Sequence, residues 1–216
     1  MNQIVQNETK GKKSEDMKSL WEKRTSMYFD LIESINKGTE TENIIINLKN
    51  NSEDIAKETC GRFKADSEIK KQDHEEYYYK LIEKNHPING VKLNQEEDMW
   101  LRNYTSVSMI KRILKDNVSL FLDYLKCTKD NDIDGQKVAD ERLLSNVTSI
   151  SGFLKSLSSS WDSELLNSTL TKYFRNLKKQ SDMLVGAKDP ELFEKDKIIS
   201  DEISQIFYKG IIECRI

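Results

Sequence analysis

The chain has 216 residues, with 34 Lys and Arg against 37 Asp and Glu for a net charge of −3, and is long enough to bury a core without disulfide or metal staples. Its charges are interleaved and no basic block stands out, which argues against nucleic acid or an anionic membrane surface as a partner. Two prolines, eight glycines and 33% charged residues favour long amphipathic helices over many short strands.

Residues 1–13 are polar, lack the apolar segment of a signal peptide and read as a flexible tail. From Ser14 to Asn36, Met17, Leu20, Trp21, Arg24, Tyr28, Leu31, Ile32 and Ile35 recur at spacings of three and four, which predicts a helix with one inward stripe. Gly38 is its stop. Thr39 with Glu42 three residues on has the form of a capping box for a short helix carrying Ile44, Ile45, Ile46 and Leu48. Asn50-Asn51 reads as a break, with Ser52 capping a further helix through Ile55, Ala56, Cys60 and Phe63.

Residues 67–84 are polar, end in Tyr77-Tyr78-Tyr79 and Leu81-Ile82, and read as a helix. His86-Pro87 and Asn89-Gly90 mark a loop from Asn85 to Leu93. Asn94 with Glu97 is another capping box, opening the strongest helix of the chain. Its stripe of Trp100, Tyr104, Val107, Leu114, Val118, Phe121 and Leu125 runs to about Thr128, broken only by Lys111. After an acidic turn, Gln136 to Leu157 carries Val138, Val147, Ile150, Phe153, Leu154 and Leu157. Ser158-Ser159-Ser160 ends it. Asp162 or Ser163 then caps a helix with Leu166, Leu170, Tyr173, Phe174 and Leu177, which Gly186 stops. Asp189-Pro190-Glu191 supplies a cap, a first-turn proline and a first-turn acid. The last helix carries Leu192, Ile199, Ile203, Ile206 and Phe207, with Gly210 at its close.

One stretch spells out a chemistry. Residues 130–141 place Asp130, Asp132 and Asp134 at positions 1, 3 and 5, Gly135 at 6 and Glu141 at 12 of an EF-hand calcium loop. Against this, Lys137 stands where a branched apolar residue normally pairs with a second hand, Val138 replaces a polar ninth position, and no second hand exists. The plainer reading, which we favour, is an acidic turn in which Asp134 caps a helix and Gly135 relieves the backbone. Cys60, Cys127 and Cys214 are distant and odd in number, forming neither a disulfide framework nor a zinc pattern. His74 and His86 have no converging partners in the sequence. No nucleophile elbow and no glycine-rich phosphate loop occurs. The triple tyrosine cannot point one way on a helix, so at least one ring is left outward, as at an edge or an interface.

Leu20-Trp21-Glu22, Asn47-Leu48-Lys49-Asn50 with Asp54-Ile55, the run from Asn146 through Ile150, Phe153-Leu154 and Ser156 to Trp161, and Gly210-Ile211-Ile212 together resemble a family of small all-helical, largely uncharacterised proteins of spore-forming Gram-positive bacteria. The similarity is nearly ungapped from about Asp116 onward, looser over 21–55 and poor across 56–113. Some members carry an acetylglutamate kinase label, which does not fit a chain lacking an α/β pattern and a phosphate loop. Similar members place histidines at the positions of Arg24, Asn117 and Tyr173, so the resemblance implies that a metal site built on those histidines is absent here. It also implies an ordinary helix-helix turn at 130–141.

The expectation is an all-α, antiparallel helical bundle of six to seven helices over 14–216, cytoplasmic, with no cofactor, nucleic acid or membrane partner. Its function reads as non-enzymatic, acting on a protein partner, which includes a further copy of itself, or on a small apolar ligand held between helices. The alternative is a calcium binder using Asp130, Asp132, Asp134 and Glu141.

Overall fold

In the computed structural model, which describes residues 2–60, 74–85, 92–182 and 190–213, all regular structure is helical. The elements are α1 (Asn2–Lys37), α2 (Glu42–Cys60), α3 (His74–Lys84), α4 (Gln95–Lys129), α5 (Ile133–Leu157), α6 (Ser163–Asp182) and α7 (Pro190–Glu213). The protein is an all-α helical bundle. No helix among the described residues is long and apolar enough to cross a membrane.

Six helices close a ring, α1 to α2 to α4 to α5 to α6 to α7 and back to α1, and α1 also touches α4 and α6 across it. Several contacts fix the directions. Arg24 reaches Ser52 across α1 and α2. Asn117 meets Asn146, and Tyr124 meets Gln136, across α4 and α5. Phe29 meets Phe193, and Lys18 meets Asp201, across α1 and α7. In α4/α5 and α1/α7 the residue numbers rise on one helix as they fall on the other, so both pairs are antiparallel, the first joined by a short turn and the second bringing the first and last helices together. One continuous apolar core runs through all six, centred on Trp21, Tyr28, Phe121, Tyr173, Phe174 and Phe207. Its rings meet mostly edge to face, as their quadrupoles favour: Tyr28–Phe121 at 5.1 Å and Tyr173–Phe174 at 5.3 Å.

Several boundaries follow the sequence signals. Gly38 takes φ +68° and α1 ends in a Schellman arrangement, with the Gly38 N–H on Ile35 O (3.1 Å) and the Thr39 N–H on Ser34 O (2.9 Å). The Asn94–Glu97 capping box forms in both directions, at 2.9 and 3.0 Å. The Asp162 carboxylate accepts the Leu165 N–H at 2.9 Å, and α7 opens on Pro190.

Others do not. The first helix begins at Asn2 rather than Ser14. Thr39 is not the cap of α2: its hydroxyl donates to Ser34 O, and Thr41 O takes the first helical bond, from Ile45 N–H. Asn50-Asn51 breaks nothing, because α2 is continuous from Glu42 to Cys60 and buries Asn51 and Ser52. The cap of α5 is Asp132 rather than Asp134, so the helix starts three residues earlier than Gln136. Gly210 lies within α7, where a β-carbon would meet the Trp161 ring at 2.5 Å, so it serves close packing rather than termination. The readings at 67–73, Phe63, Gly186 and most of the Asn85–Leu93 loop fall outside the described residues.

Candidate functional site

The polar interior has two parts, and α1 supplies both. Arg24 is fully buried. Its Nη1 donates to Ser52 Oγ (2.9 Å), Leu48 O (3.4 Å) and Asn51 Oδ1 (3.4 Å), and its Nη2 to Tyr28 Oη (3.1 Å) and Leu114 O (3.2 Å). The guanidinium also lies 5.2 Å from the Tyr28 ring and 5.8 Å from the Trp21 ring. No carboxylate is among these partners. Neutral oxygens and ring faces satisfy the charge instead, which suits a planar, weakly hydrated cation better than an ammonium. The chain of donors continues: Tyr28 Oη donates to Asn117 Oδ1 (3.1 Å), Asn117 Nδ2 to Asn146 Oδ1 (3.1 Å), and Asn146 Nδ2 to Ile113 O (3.1 Å). Burial pushes the Tyr28 phenol up, while Arg24 pulls it partly back.

The second part is poor in partners. Asp196 on α7 is fully buried, and neither of its oxygens has a hydrogen bond of ordinary geometry. Ser200 Oγ one turn later and Trp21 Nε1 on α1 are buried and unpartnered too. The Phe29–Phe193 and Lys18–Asp201 contacts set a register that puts Asp196 abreast of Thr25 and Ser200 abreast of Trp21. Thr25 Oγ1 and Tyr173 Oη share a hydrogen bond at 3.0 Å beside them. Desolvation pushes the Asp196 carboxyl up to about 7, with the Asn176 amide as the one opposing influence. Tyr173 is held well above its ordinary value, first by burial.

Neither part opens to solvent or sets a nucleophile against a base. The three positions paired with histidines by the resemblance do converge: Arg24 and Asn117 belong to the donor chain, and the Tyr173 ring lies 6.3 Å from that of Tyr28. A guanidinium, an amide and a phenol, each engaged by other residues (Arg24 and Asn117 by Tyr28, Tyr173 by Thr25), do not form a metal-ligand set.

The residues of the calcium reading stand apart. Asp130 is the C-cap of α4, Asn131 takes φ +55°, and the Asp132 carboxylate accepts the Gly135 N–H at 2.9 Å. Asp134 sits in the first turn of α5, and Glu141 lies seven residues on, about 10 Å along the helix. All four carboxylates are exposed, and among the described residues no group of three or more His, Cys, Asp or Glu side chains is arranged to hold a metal. Ser158 ends α5, and its hydroxyl is tied to Ser160. Cys127 is a free thiol. Burial and Asp132 raise the Cys127 thiol, which is opposite to the activation of a nucleophile.

The surface carries one ordered aromatic group. Tyr77 of α3 meets Trp100 of α4 edge to face at 4.7 Å, and Trp100 stacks on Tyr104 at 5.1 Å. Tyr78 joins Tyr104 at 5.1 Å and Tyr79 at 5.5 Å. Leu81 and Leu101 are buried beneath, outside the continuous core. Tyr79 is 61% exposed and Ile82 43%. Sequence alone marked the triplet, but not that both of its inner rings find partners on α4. An open recess of about 420 Å³ lies between α5 and α6, lined by Thr148, Ser151, Gly152, Ser163, Asn167 and Ser168 among others. No protein-family model, curated protein or solved structure matches this chain.

Proposed function

We propose that this protein works by protein contact through the aromatic end formed by α3 and the start of α4, and that the surface it meets is the same surface on a second copy. The observation that carries this reading is the five-ring cluster of Tyr77, Tyr78, Tyr79, Trp100 and Tyr104, set outside the core with its outermost ring 61% exposed. Aromatic rings supply large contact area at low entropic cost and are enriched at interfaces.

Two further features support it. With 11 residues α3 is shorter than a helix that stands alone in water, and among the described elements it rests on α4 only. A contact over its outer face adds the burial it lacks. Six charges around the rings are also paired within the chain, as Glu76–Lys80 (2.7 Å), Lys84–Glu97 (2.7 Å) and Asp98–Arg102 (3.0 Å). Pairing of this kind weakens both the steering of a charged partner and the repulsion of a like one, which suits an isologous contact. The test is solution mass by light scattering across a range of concentrations, with Tyr79→Ala alongside. The expected result is a mass rising from one chain to two, with the midpoint moved at least tenfold higher in concentration by Tyr79→Ala. A one-chain mass throughout, or an unmoved midpoint, overturns it.

A further inference from the structure

Among the described residues, four of the five buried side-chain polar atoms without a hydrogen-bond partner belong to Asp196, Ser200 and Trp21, and the fifth is Arg24 Nε, the one unused donor of that guanidinium. Asp196 Oδ1 and Oδ2, Ser200 Oγ and Trp21 Nε1 all fall on the α1/α7 seam, whereas the Arg24 region a few residues away uses nearly every donor it has. A carboxylate in such a place has no counter-charge and no donor in ordinary hydrogen-bond geometry, the Asn176 amide being the one group that favours its charge, and its ionisation there is opposed by the loss of hydration. A protonated carboxyl carries no charge and can be buried at modest cost.

The surroundings offer no substitute charge. On α7 itself, the neighbours one turn away are Leu192, Phe193, Ile199 and Ser200. From α6 the facing groups are Asn176 and the titratable Tyr173, and the Asp196 charge opposes ionisation of that phenol. From α1 the facing residue is Thr25. Arg24 is committed to α2, α4 and Tyr28 and does not influence Asp196. The α1 cation nearest along the seam, Lys18, is paired at 3.1 Å with Asp201 on the surface. The α2 acid Glu53 is turned to Lys57, Lys111 and Lys115, and no charged group of α2 acts on Asp196.

We propose that α7 is a proton-gated helix: its seat against α1 and α6 holds while Asp196 is a neutral acid, and the helix is released as that carboxyl loses its proton. The direction follows from linkage. The carboxyl of seated α7 titrates near 7, against 3.8 for an ordinary one. A group whose seated value is raised contributes its full stabilisation below the ordinary value, and loses it progressively as pH rises through the seated value. Release would uncover the surface now buried against Trp21, Phe29 and Trp161, through Phe207 and Phe193.

Amide hydrogen exchange on the intact chain tests this, corrected at each pH for the intrinsic exchange rate. Protection over 199–210 of α7 is expected to fall about tenfold per pH unit between roughly 4 and 7, then level off, while α4 and α5 change far less. In Asp196→Asn, the α7 protection is expected to be flat over the same range. Equal loss in α4 and α5, or the same slope in the variant, overturns the proposal. Should that variant fail to fold, the carboxyl carbon shift of Asp196 in the unaltered protein decides: a midpoint near 7 supports the gate, and a midpoint in the ordinary carboxylate range overturns it.

Discussion

Arg24 and Asp196 are both shut away from water in the same core, on helices that touch, and the fold treats them in opposite ways. Arg24 has five hydrogen bonds to neutral oxygens and two ring faces. Asp196 has no hydrogen bond of ordinary geometry. The difference follows from what a helix interior can offer. Carbonyls, hydroxyls and amide oxygens are abundant acceptors, since each helical C=O retains a second lone pair. Free donors are scarce, because helical N–H groups are already spent on the ladder. A buried cation can therefore be satisfied without a partner of opposite charge. A buried carboxylate finds fewer partners, and at Asp196 desolvation pushes the carboxyl up to about 7.

The largest expected effect comes from removing the cation. Arg24→Leu should destabilise the fold by about 3–5 kcal/mol in urea unfolding, because Asn51 and Tyr28 lose their buried partner and the shape of the site changes. An unchanged midpoint would mean that the network fills space and no more. The matching change at the other site should carry the opposite sign. Asp196→Leu should stabilise the protein by about 1–3 kcal/mol at pH 8, since an unsatisfied polar group is exchanged for an apolar one of similar size. At pH 4, where the acid is neutral, the gain should shrink. A loss at both pH values would show that Asp196 has a donor in solution, and the contrast between the two residues would fail.

The same contrast explains which parts of the fold were legible from sequence. Apolar periodicity gave the helix class and most boundaries, because inward stripes such as those of α4 and α6 depend on spacing alone. Asn50-Asn51-Ser52 misled, since polar residues that serve a buried guanidinium look the same in sequence as residues that break a helix. Arg24 itself was visible as a charged residue inside the apolar stripe of the first helix, and that is the signal by which its site could have been found. Asp196 carries the same mark, four residues after Leu192 and three before Ile199 in the α7 stripe, but an acid every few residues is ordinary on a charged helix and the gap it fills was not read as inward. The aromatic triplet was legible as a composition, while its partners Trp100 and Tyr104 lay across a loop that sequence could not fold.

A second aspartate sharpens the comparison at its mildest end. Asp132 is exposed, and unlike Asp196 it has a donor: the Gly135 N–H at 2.9 Å, one of the otherwise unbonded amides at the start of α5. Its role here is that of a helix cap. Asp132→Ala should cost about 1 kcal/mol, read as a shift in the urea midpoint with an unchanged slope. A calcium site would make the same residue a ligand alongside Asp130, Asp134 and Glu141. Bringing Glu141 to that point would require unwinding about two turns of α5, since the helix already begins at Ile133. Calorimetry at millimolar calcium is therefore expected to show no binding heat, and far-UV ellipticity no loss of helix. A calcium heat that disappears in Asp132→Ala would instead make this turn a metal loop whose cap geometry is only its metal-free form.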